Sequence, residues 1–283
     1  MHPPPDSAPD YLVLGHLTLD QTPSGPVLGG TSAYAALTAH AHGLRTAIVT
    51  SARNDLDLST LAETRIALHP SDETTMFRNL HDGQSRQQHL LARAGNLEAA
   101  VVPSDWRAAR IVHLAPVAAE VPPALAAHFP ECDLIGVTPQ GWMRRWDPSG
   151  RVGFTSWNYA GEALAKADAV VVSLEDLGGD EAQVESLATA CRLLVVTEGD
   201  LGARVYWNGD VRRFPAPAVD QVDPTGAGDI FAASFFIRLH QTRDPWEAAR
   251  YANLLSARSV ARHGISGVPS PDEVQQAGMV WAR

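Results

Sequence analysis

The residues best suited to chemistry form the turn D-P-T-G-A-G-D at positions 223–229, which enters a strongly apolar stretch. Gly226 and Gly228 let the backbone come close to a ligand, and Thr225 is a predicted N-cap for the helix that follows. A buried helix start offers unpaired N–H groups and a positive dipole end, which together hold an anion such as a phosphate. Asp229 could take the proton from a hydroxyl that attacks phosphorus. The turn therefore indicates phosphoryl transfer, with an ordinary strand-to-helix turn as the alternative.

The helix behind this turn is predicted from about residue 229 to residue 240, and its residues are apolar nearly all round, as in a buried helix. The turn itself closely resembles the signature of the ribokinase-like (PfkB) family of sugar and nucleoside kinases. The resemblance implies that Asp229 is the catalytic base and contacts the acceptor hydroxyl. It also implies that Gly226, Ala227 and Gly228 line the hole for the transferring phosphoryl group, with both glycines beside the nucleotide.

Three further segments resemble acceptor-binding motifs of the same family. Asp20 follows the first strand in G-H-L-T-L-D, where family members carry an aspartate that binds substrate hydroxyls. Gly29 and Gly30 match the N-terminal G-G motif, which lets the backbone approach a polyol. Gln140 and Arg144 lie in Q-G-W-M-R, which is similar to the Q-G-x-x-R segment of myo-inositol kinases. Without the resemblance, these residues would be surface loop or turn residues.

The nucleotide side of the site is implied by two other matches. The run T-E-G-D-L-G resembles the family's T-x-G-x-x-G, which makes Thr197, Gly199 and Gly202 nucleotide-binding candidates. Asn253, in Y-A-N-L-L-S-A, resembles residues that flank the adenine. The resemblance implies ATP and Mg2+ as cofactors and leaves open a monovalent cation such as K+.

The family's N-x-x-E segment, which positions magnesium through water, is altered in this chain. Ser173 stands in place of the asparagine in S-L-E-D, and Asp176 or Glu175 in place of the glutamate. Either carboxylate could order a hard cation. The departure motivates a second hypothesis from another class, a catalytically weak module that senses a sugar or a nucleotide.

The elements that must position these residues alternate between apolar strands and helices along most of the chain. This pattern is typical of a doubly wound α/β fold, whose ligands lie beyond the carboxyl ends of the strands. The resemblance implies a three-layer α/β/α sandwich with a mostly parallel sheet and a small β lid at about residues 16–30 and 64–93. Residues 22–28 are predicted to form a turn, and Asp82-Gly83 a hairpin between two lid strands. The whole chain, 1–283, is expected to be one kinase domain behind a flexible tail at residues 1–9.

Composition narrows the possible functions. With 283 residues, 45% of them apolar, the chain can bury a sizeable core. A net charge of -10 and the lack of a basic run argue against a nucleic-acid partner. The N-terminus lacks a basic and apolar leader, and no apolar window spans a bilayer, so we expect a cytoplasmic protein without membrane contact. Cys132 and Cys191 lack C-x-x-C spacing, which argues against a zinc cluster or a disulfide scaffold.

Other nucleotide enzymes are excluded by missing motifs. Lys166 is the only lysine, so a G-x-x-x-x-G-K phosphate loop is absent. Residues 15–20 contain no G-x-G-x-x-G, which argues against a dinucleotide-binding oxidoreductase. The hypothesis is an ATP-dependent kinase that acts on a hydroxyl of a small sugar or polyol, with a cyclitol such as myo-inositol favoured and a nucleoside as the alternative. Through the lid, family members often pair with a second subunit, so a homodimer is also predicted.

Overall fold

The computed structural model describes residues 8–81, 86–157 and 160–279. Its organising element is a nine-stranded sheet, accompanied by a four-stranded sheet and a two-stranded hairpin. In chain order the strands are β1 (Tyr11–Leu14), β2 (Thr18–Thr22), β3 (Gly25–Gly29), β4 (Thr46–Ala52), β5 (Arg65–Pro70), β6 (Thr75–His81), β7 (Arg86–Ala92), β8 (Ile111–Leu114), β9 (Leu134–Val137), β10 (Arg144–Trp146), β11 (Val152–Phe154), β12 (Ala169–Ser173), β13 (Leu193–Thr197), β14 (Ala203–Trp207) and β15 (Asp210–Phe214).

The large sheet has the order β15-β14-β13-β12-β9-β8-β1-β4-β5. Its strands from β13 to β5 pair in parallel, and β14 and β15 add an antiparallel hairpin at one edge. Every residue of β1, β4, β8 and β9 is buried. Continuous apolar strands of this kind need cover on both faces. The α/β architecture predicted from the alternating pattern is thereby confirmed.

Six helices accompany the sheets in the described residues: α1 (Thr31–Ala41), α2 (Ala160–Leu164), α3 (Glu181–Ala190), α4 (Ala227–Thr242), α5 (Pro245–Ser259) and α6 (Pro271–Met279). The first, fourth and fifth share one apolar core with one face of the sheet. The second core, on the other face, takes in α2, α3 and several short 3-10 turns. None of these helices has the length and apolarity that crossing a bilayer requires.

The small sheet at the predicted lid, called the lid below, has four strands in the order β3-β2-β6-β7. The hairpin of β10 and β11 lies against it, because Leu90 N–H of β7 donates to the Gly150 carbonyl at 2.8 Å. Two predictions need correction here. Residues 65–70 of the expected lid form β5 of the large sheet, in parallel register with β4. The predicted turn at 22–28 contains strand β3, because β2 pairs with both β3 and β6.

Some helix ends also differ from prediction. The helix α4 begins at Ala227 rather than at about residue 229, and it ends at Thr242 rather than at residue 240. Residues Pro123–His128 form a 3-10 turn. The Asp82-Gly83 hairpin turn and residues 1–7 of the predicted tail lie outside the described residues.

Candidate active site

A cavity of about 1270 Å³ opens at the carboxyl ends of the central parallel strands, beneath the lid. It is the position expected for a ligand site in a doubly wound fold. All of the predicted site residues line it except Gly29: Asp20, Gly30, Gln140, Arg144, Glu175, Asp176, Thr197, Gly199, Gly202, Gly226, Ala227, Gly228, Asp229 and Asn253. Residues from both ends of the sequence therefore meet around one space.

The turn before α4 differs in detail from the prediction. Gly226, not Thr225, is the N-cap, and its φ of 80° is the left-handed conformation that favours glycine. Ala227 N–H donates to the Pro224 carbonyl at 3.2 Å, so this predicted anion-hole amide already has a partner. Among the described residues, no acceptor lies on the N–H groups of Gly226 and Gly228. These two amides are the ones available to an anion at the helix start.

Tyr34 of α1 supports this turn from below. A Cβ on Gly226 would lie 2.2 Å from the Tyr34 ring, so only glycine leaves room for it. Burial, together with the negative charges of Asp229, Asp20 and Asp223, raises the pKa of the Tyr34 hydroxyl. The ring is therefore a neutral floor beneath the anion site.

Asp223, the first residue of the motif, fixes the turn to the C-terminal part of the chain. Its carboxylate accepts from Thr225 N–H at 2.9 Å and from Gly264 N–H at 2.9 Å. Burial raises the pKa of Asp223, but these hydrogen bonds together lower it by more, so the net shift is downward. The pairing with Gly264 spans 41 residues and has no local sequence signal.

Asp229 is held by a residue that sequence reasoning missed. The Thr31 hydroxyl donates to Asp229 Oδ1 at 2.7 Å. Thr31 is the first residue of α1 and directly follows the G-G pair. The glycine turn and the predicted base are thus one unit, although 198 residues separate Thr31 from Asp229.

Asp20 lies on lid strand β2, and Gly29 on β3 makes room for it. A Cβ on Gly29 would lie 2.6 Å from Asp20 Oδ2, so the glycine leaves room for this carboxylate, and Gly29 itself does not line the cavity. Asn79 Nδ2 lies 3.5 Å from Asp20 Oδ1, and Gln88 Nε2 donates to Asn79 Oδ1 at 3.0 Å. The carboxylate is therefore set by its neighbours across the lid sheet.

Gln140 and Arg144 face the same cavity from a 3-10 turn and the start of β10. Gln140 Nε2 donates to Asp176 Oδ1 at 3.0 Å, which joins the predicted acceptor and metal segments. The Arg144 guanidinium donates to the Val117 carbonyl at 3.0 Å and lies 5.4 Å from the Phe77 ring centre. Both side chains are therefore held by specific contacts and are not the solvated surface residues that they would be without the family resemblance.

A buried carboxylate, which the sequence did not reveal, holds the Val117 loop. Glu120 is fully buried and accepts from the N–H groups of His16, Val117 and Ala118 at 2.7 to 3.1 Å. Backbone donors satisfy a buried carboxylate in place of a cation. The loop that orients Arg144 is thereby tied to the end of β1.

The donor half of the cavity is built mainly from backbone and apolar side chains. A Cβ on Gly202 would lie 2.1 Å from the Phe214 carbonyl oxygen. Asn253 donates to that same oxygen at 2.8 Å. Gly202 and Asn253, both predicted to bind nucleotide, therefore fix Phe214, which shortly precedes the cavity-lining residues 216–219.

Charge is distributed unevenly over the lining. Glu198 lies 2.8 Å from Arg204 and 3.3 Å from Arg213, so its charge is balanced. Among the described lining residues, Arg144 is the only arginine or lysine. The donor half consequently offers no side-chain cation to phosphate groups.

The predicted metal ligands, Glu175 and Asp176, both line the cavity. No group of three His, Cys, Asp or Glu side chains within the described ranges could hold a metal ion. Mg2+ commonly uses one or two carboxylates together with substrate phosphates and waters. The donor set fits such an ion and does not form a cage made of protein alone.

The chain is similar to known carbohydrate kinases. Residues 161–272 match the family model described as pfkB family carbohydrate kinase. Inositol 3-kinase of Oryza sativa subsp. japonica is 31% identical over 85% of this chain and 64% of its own length. Ribokinase of Bacillus subtilis is 37% identical over 32% of each protein. The chain spans less than two thirds of the length of these curated relatives.

Solved structures establish the fold. A pyrophosphate-dependent kinase in the ribokinase family, complexed with a pyrophosphate analog and myo-inositol, superimposes with a TM-score of 0.77, 17% identity and coverage of 94% of this chain and 99% of its own. Ribokinase from Thermotoga maritima has a TM-score of 0.72, 20% identity and coverage of 95% and 99%. The predicted three-layer ribokinase fold is confirmed.

Proposed function

The chain carries a domain of the pfkB carbohydrate kinase family, and from that premise we propose that it transfers a phosphoryl group from ATP to a hydroxyl of a small polyol. The observation that carries the proposal is the arrangement at the start of α4. Asp229 lies there beside two unpartnered amides, and all three face a cavity that also contains Asp20 and Arg144.

Asp229 acts as the general base. Thr31 donates to one carboxylate oxygen and so orients the group toward the cavity. As the acceptor hydroxyl attacks phosphorus, its proton passes to Asp229. The amides of Gly226 and Gly228 stabilise the charge on the transferring phosphoryl group, because they are fixed before the reaction begins.

Magnesium is the cofactor that the reaction class requires, and Glu175 and Asp176 would hold it together with phosphate oxygens and water. When bound, Mg2+ offsets the phosphate charge. Gln140 orients Asp176 by donating to it, so the acceptor segment and the metal segment move together. A monovalent cation such as K+ stays an open prediction.

ATP, rather than pyrophosphate, is the proposed donor because of the lining of the donor half. The wall includes Val219, Ala257 and Val260, and it contains no arginine or lysine among the described residues apart from Arg144. An apolar surface suits an adenine base, and pyrophosphate has no group that would use such a surface.

A cyclitol such as myo-inositol is the proposed acceptor class. Gln140 and Arg144 stand as in the Q-G-x-x-R segment, and the rice and maize relatives are named inositol 3-kinases. With Asp20, these side chains offer both donors and an acceptor to a ring that carries hydroxyls on all sides. Ribose, fructose and adenosine are the competing acceptors.

A screen for ADP formation tests the proposal. The purified protein is incubated with Mg2+, ATP and each of myo-inositol, ribose, fructose and adenosine, and a parallel series replaces ATP by pyrophosphate. We expect ADP release to depend on the acceptor and to be fastest with the cyclitol. Tight acceptor binding without any ADP release would favour the sensor hypothesis, which the S-L-E-D departure motivates. Fast turnover of adenosine would favour a nucleoside kinase.

Pairing of two copies through the lid stays a prediction. Val27 and Leu91, on the outer strands of the lid, and Leu80 beside them are exposed by 41 to 46%. Light scattering of the purified protein measures the oligomeric state directly.

A further inference from the structure

A buried chain of hydrogen bonds crosses the core and ends at the cavity. The Tyr11 hydroxyl lies 3.0 Å from His113 Nδ1, and His113 Nε2 lies 2.9 Å from Thr138 Oγ1. Tyr11 and His113 are completely buried, whereas Thr138, at 8% exposure, lines the cavity next to the Gln140 segment. Neither the proposed mechanism nor the sequence analysis uses any of these three residues.

The direction of these hydrogen bonds follows from proton counting. Burial lowers the pKa of His113 to about 3, so its ring is neutral and carries one N–H. Burial, with the charge of Asp229, raises the pKa of Tyr11, so its hydroxyl keeps its proton. Within the described part of the chain, His113 Nδ1 is the only hydrogen-bond partner of that hydroxyl.

A buried hydroxyl without an acceptor is costly, so Tyr11 must donate to His113 Nδ1. The single ring proton then lies on Nε2 and is donated to Thr138 Oγ1. The Thr138 hydroxyl receives this bond and has its own hydrogen left to donate. The opposite tautomer would bury the Tyr11 hydrogen without an acceptor.

We propose that Thr138 is a specificity-determining residue that donates a hydrogen bond to an oxygen of the acceptor substrate, with its direction fixed by Tyr11 and His113. A hydroxyl oxygen of a polyol accepts such a bond. A protonated amine at the same position would present a second donor and be rejected. This inference rests on the proposed kinase function and assigns one contact within it.

The His113 ring is well placed to hold this direction. It packs edge-to-face against Phe236 of α4, with the ring centres 5.0 Å apart. Gly136, beside it on β9, leaves room for that same phenyl ring, since a Cβ there would lie 2.6 Å from it. The imidazole therefore cannot turn without moving the helix that carries Asp229.

Substitutions that keep side-chain shape test the assignment. Thr138→Val should raise the KM for the acceptor by about tenfold, the effect of one lost hydrogen bond, and leave the KM for ATP unchanged. Thr138→Ser keeps the hydroxyl and should stay within about threefold of the wild type. Tyr11→Phe should give a smaller rise in the acceptor KM than Thr138→Val, because either histidine tautomer then becomes possible.

Matched controls separate this effect from lost stability. Thr46→Val removes a buried threonine hydroxyl at the opposite end of the sheet, where it contacts Thr64. Tyr251→Phe removes a tyrosine hydroxyl from another tyrosine–histidine pair, with His42, outside the cavity. Both should leave the acceptor KM unchanged.

Nitrogen-15 NMR of the wild type reports the tautomer without any need for turnover. We expect the Nε2–H form of His113 in the wild type and a loss of that preference in Tyr11→Phe. An Nδ1–H form in the wild type would overturn the proposed direction. An unchanged acceptor KM in Thr138→Val would overturn the substrate contact alone, whereas a wild type that phosphorylates no acceptor would overturn the proposed function itself.

Discussion

The two halves of the cavity are built in different ways. The acceptor half consists of charged and polar side chains, Asp20, Gln140 and Arg144, each fixed by a partner from a distant part of the chain. The donor half combines glycines and apolar residues with the carboxylates of Glu175 and Asp176, and its Gly202 is held against a neighbouring strand. The first half can therefore discriminate between ligands by hydrogen bonds, and the second mainly by shape.

The difference has a consequence for substitutions in the two halves. Side-chain partners in the acceptor half can change one at a time, and each change alters which hydroxyls are recognised. The donor half depends on backbone approach, so a substituted glycine alters the fold of the loop itself.

The largest effect is expected at Asp229, where the two halves meet. Asp229→Asn removes the base but keeps the size of the side chain, so kcat should fall by about 10³-fold. ATP affinity, measured by calorimetry, should change little, because the amides of the turn remain in place. Retention of most of the wild-type kcat would refute the assigned base.

Arg144 tests the acceptor half. Arg144→Met removes its hydrogen bond to Val117 and its charge, and the acceptor KM should rise by about 10- to 100-fold. The KM for ATP should stay within about twofold of the wild type, because the residue belongs to the acceptor side. Steady-state kinetics with each substrate varied in turn makes this measurement. Equal changes in both constants would remove the distinction between the halves.

Alanine substitutions at Gly226 and Gly228 compare a glycine in tight contact with its surroundings with one that has open space beside it. Gly226→Ala places a Cβ against the Tyr34 ring at a φ of 80° and should destabilise the fold by about 1–3 kcal/mol. At Gly228 a Cβ meets no atom within 4 Å, so Gly228→Ala should leave the unfolding free energy nearly unchanged. Urea denaturation compares the two variants, and equal losses would contradict the tight contact with Tyr34.

Asn253 tests the donor half. Asn253→Ala leaves the buried Phe214 carbonyl without its side-chain donor and should cost about 1–2 kcal/mol of stability. Because Phe214 shortly precedes residues 216–219, which line the donor half, the KM for ATP should rise more than the acceptor KM. Kinetic constants for both substrates, with Thr46→Val as a control outside the cavity, decide the point. A larger rise in the acceptor KM would contradict the placement of Asn253 on the donor side.

The smallest effect concerns acid stability and Asp223. The folded pKa of Asp223 lies below its ordinary value, so its carboxylate stabilises the fold above about pH 4, and this contribution is lost as the pH falls through the folded pKa. Asp223→Asn removes this carboxylate. The unfolding free energy of the variant should therefore fall less steeply between pH 5 and pH 3 than that of the wild type, because at most about one fewer proton is taken up on unfolding. Chemical denaturation at a series of pH values measures both slopes. Identical slopes would mean that the hydrogen bonds from Thr225 and Gly264 do not hold the carboxylate in solution.

Much of the fold was predictable because its signals are local. Buried parallel strands read as short apolar runs, and the alternation of such runs with helical segments was enough to predict the α/β class. The errors fell where pairing with distant segments decided the structure. Within the predicted turn at 22–28, residues 25–28 belong to strand β3 because they pair with β2, and residues 65–70 joined the large sheet because they pair with β4.

The site divides in the same way. Glycines, the G-A-G-D turn and the acidic residues at strand ends can be recognised in a single sequence, since each has a local conformational or chemical reason. Thr31, Tyr34 and Glu120 could not be found, because a threonine, a tyrosine or a glutamate has no local feature that marks its partner. Their contacts exist only after the helices and strands have packed.

The amino-acid sequence by itself determined the α/β class, the buried helix behind the turn and the residue types available for phosphoryl transfer, because strand and helix periodicity and backbone freedom are properties of neighbouring residues. The tertiary structure alone decided which side chains share one cavity, that Thr31 holds Asp229, and that Tyr11 and His113 fix the direction of the Thr138 hydroxyl. Hydrogen bonds between residues that lie about a hundred or more positions apart depend on chain topology, which no local pattern specifies.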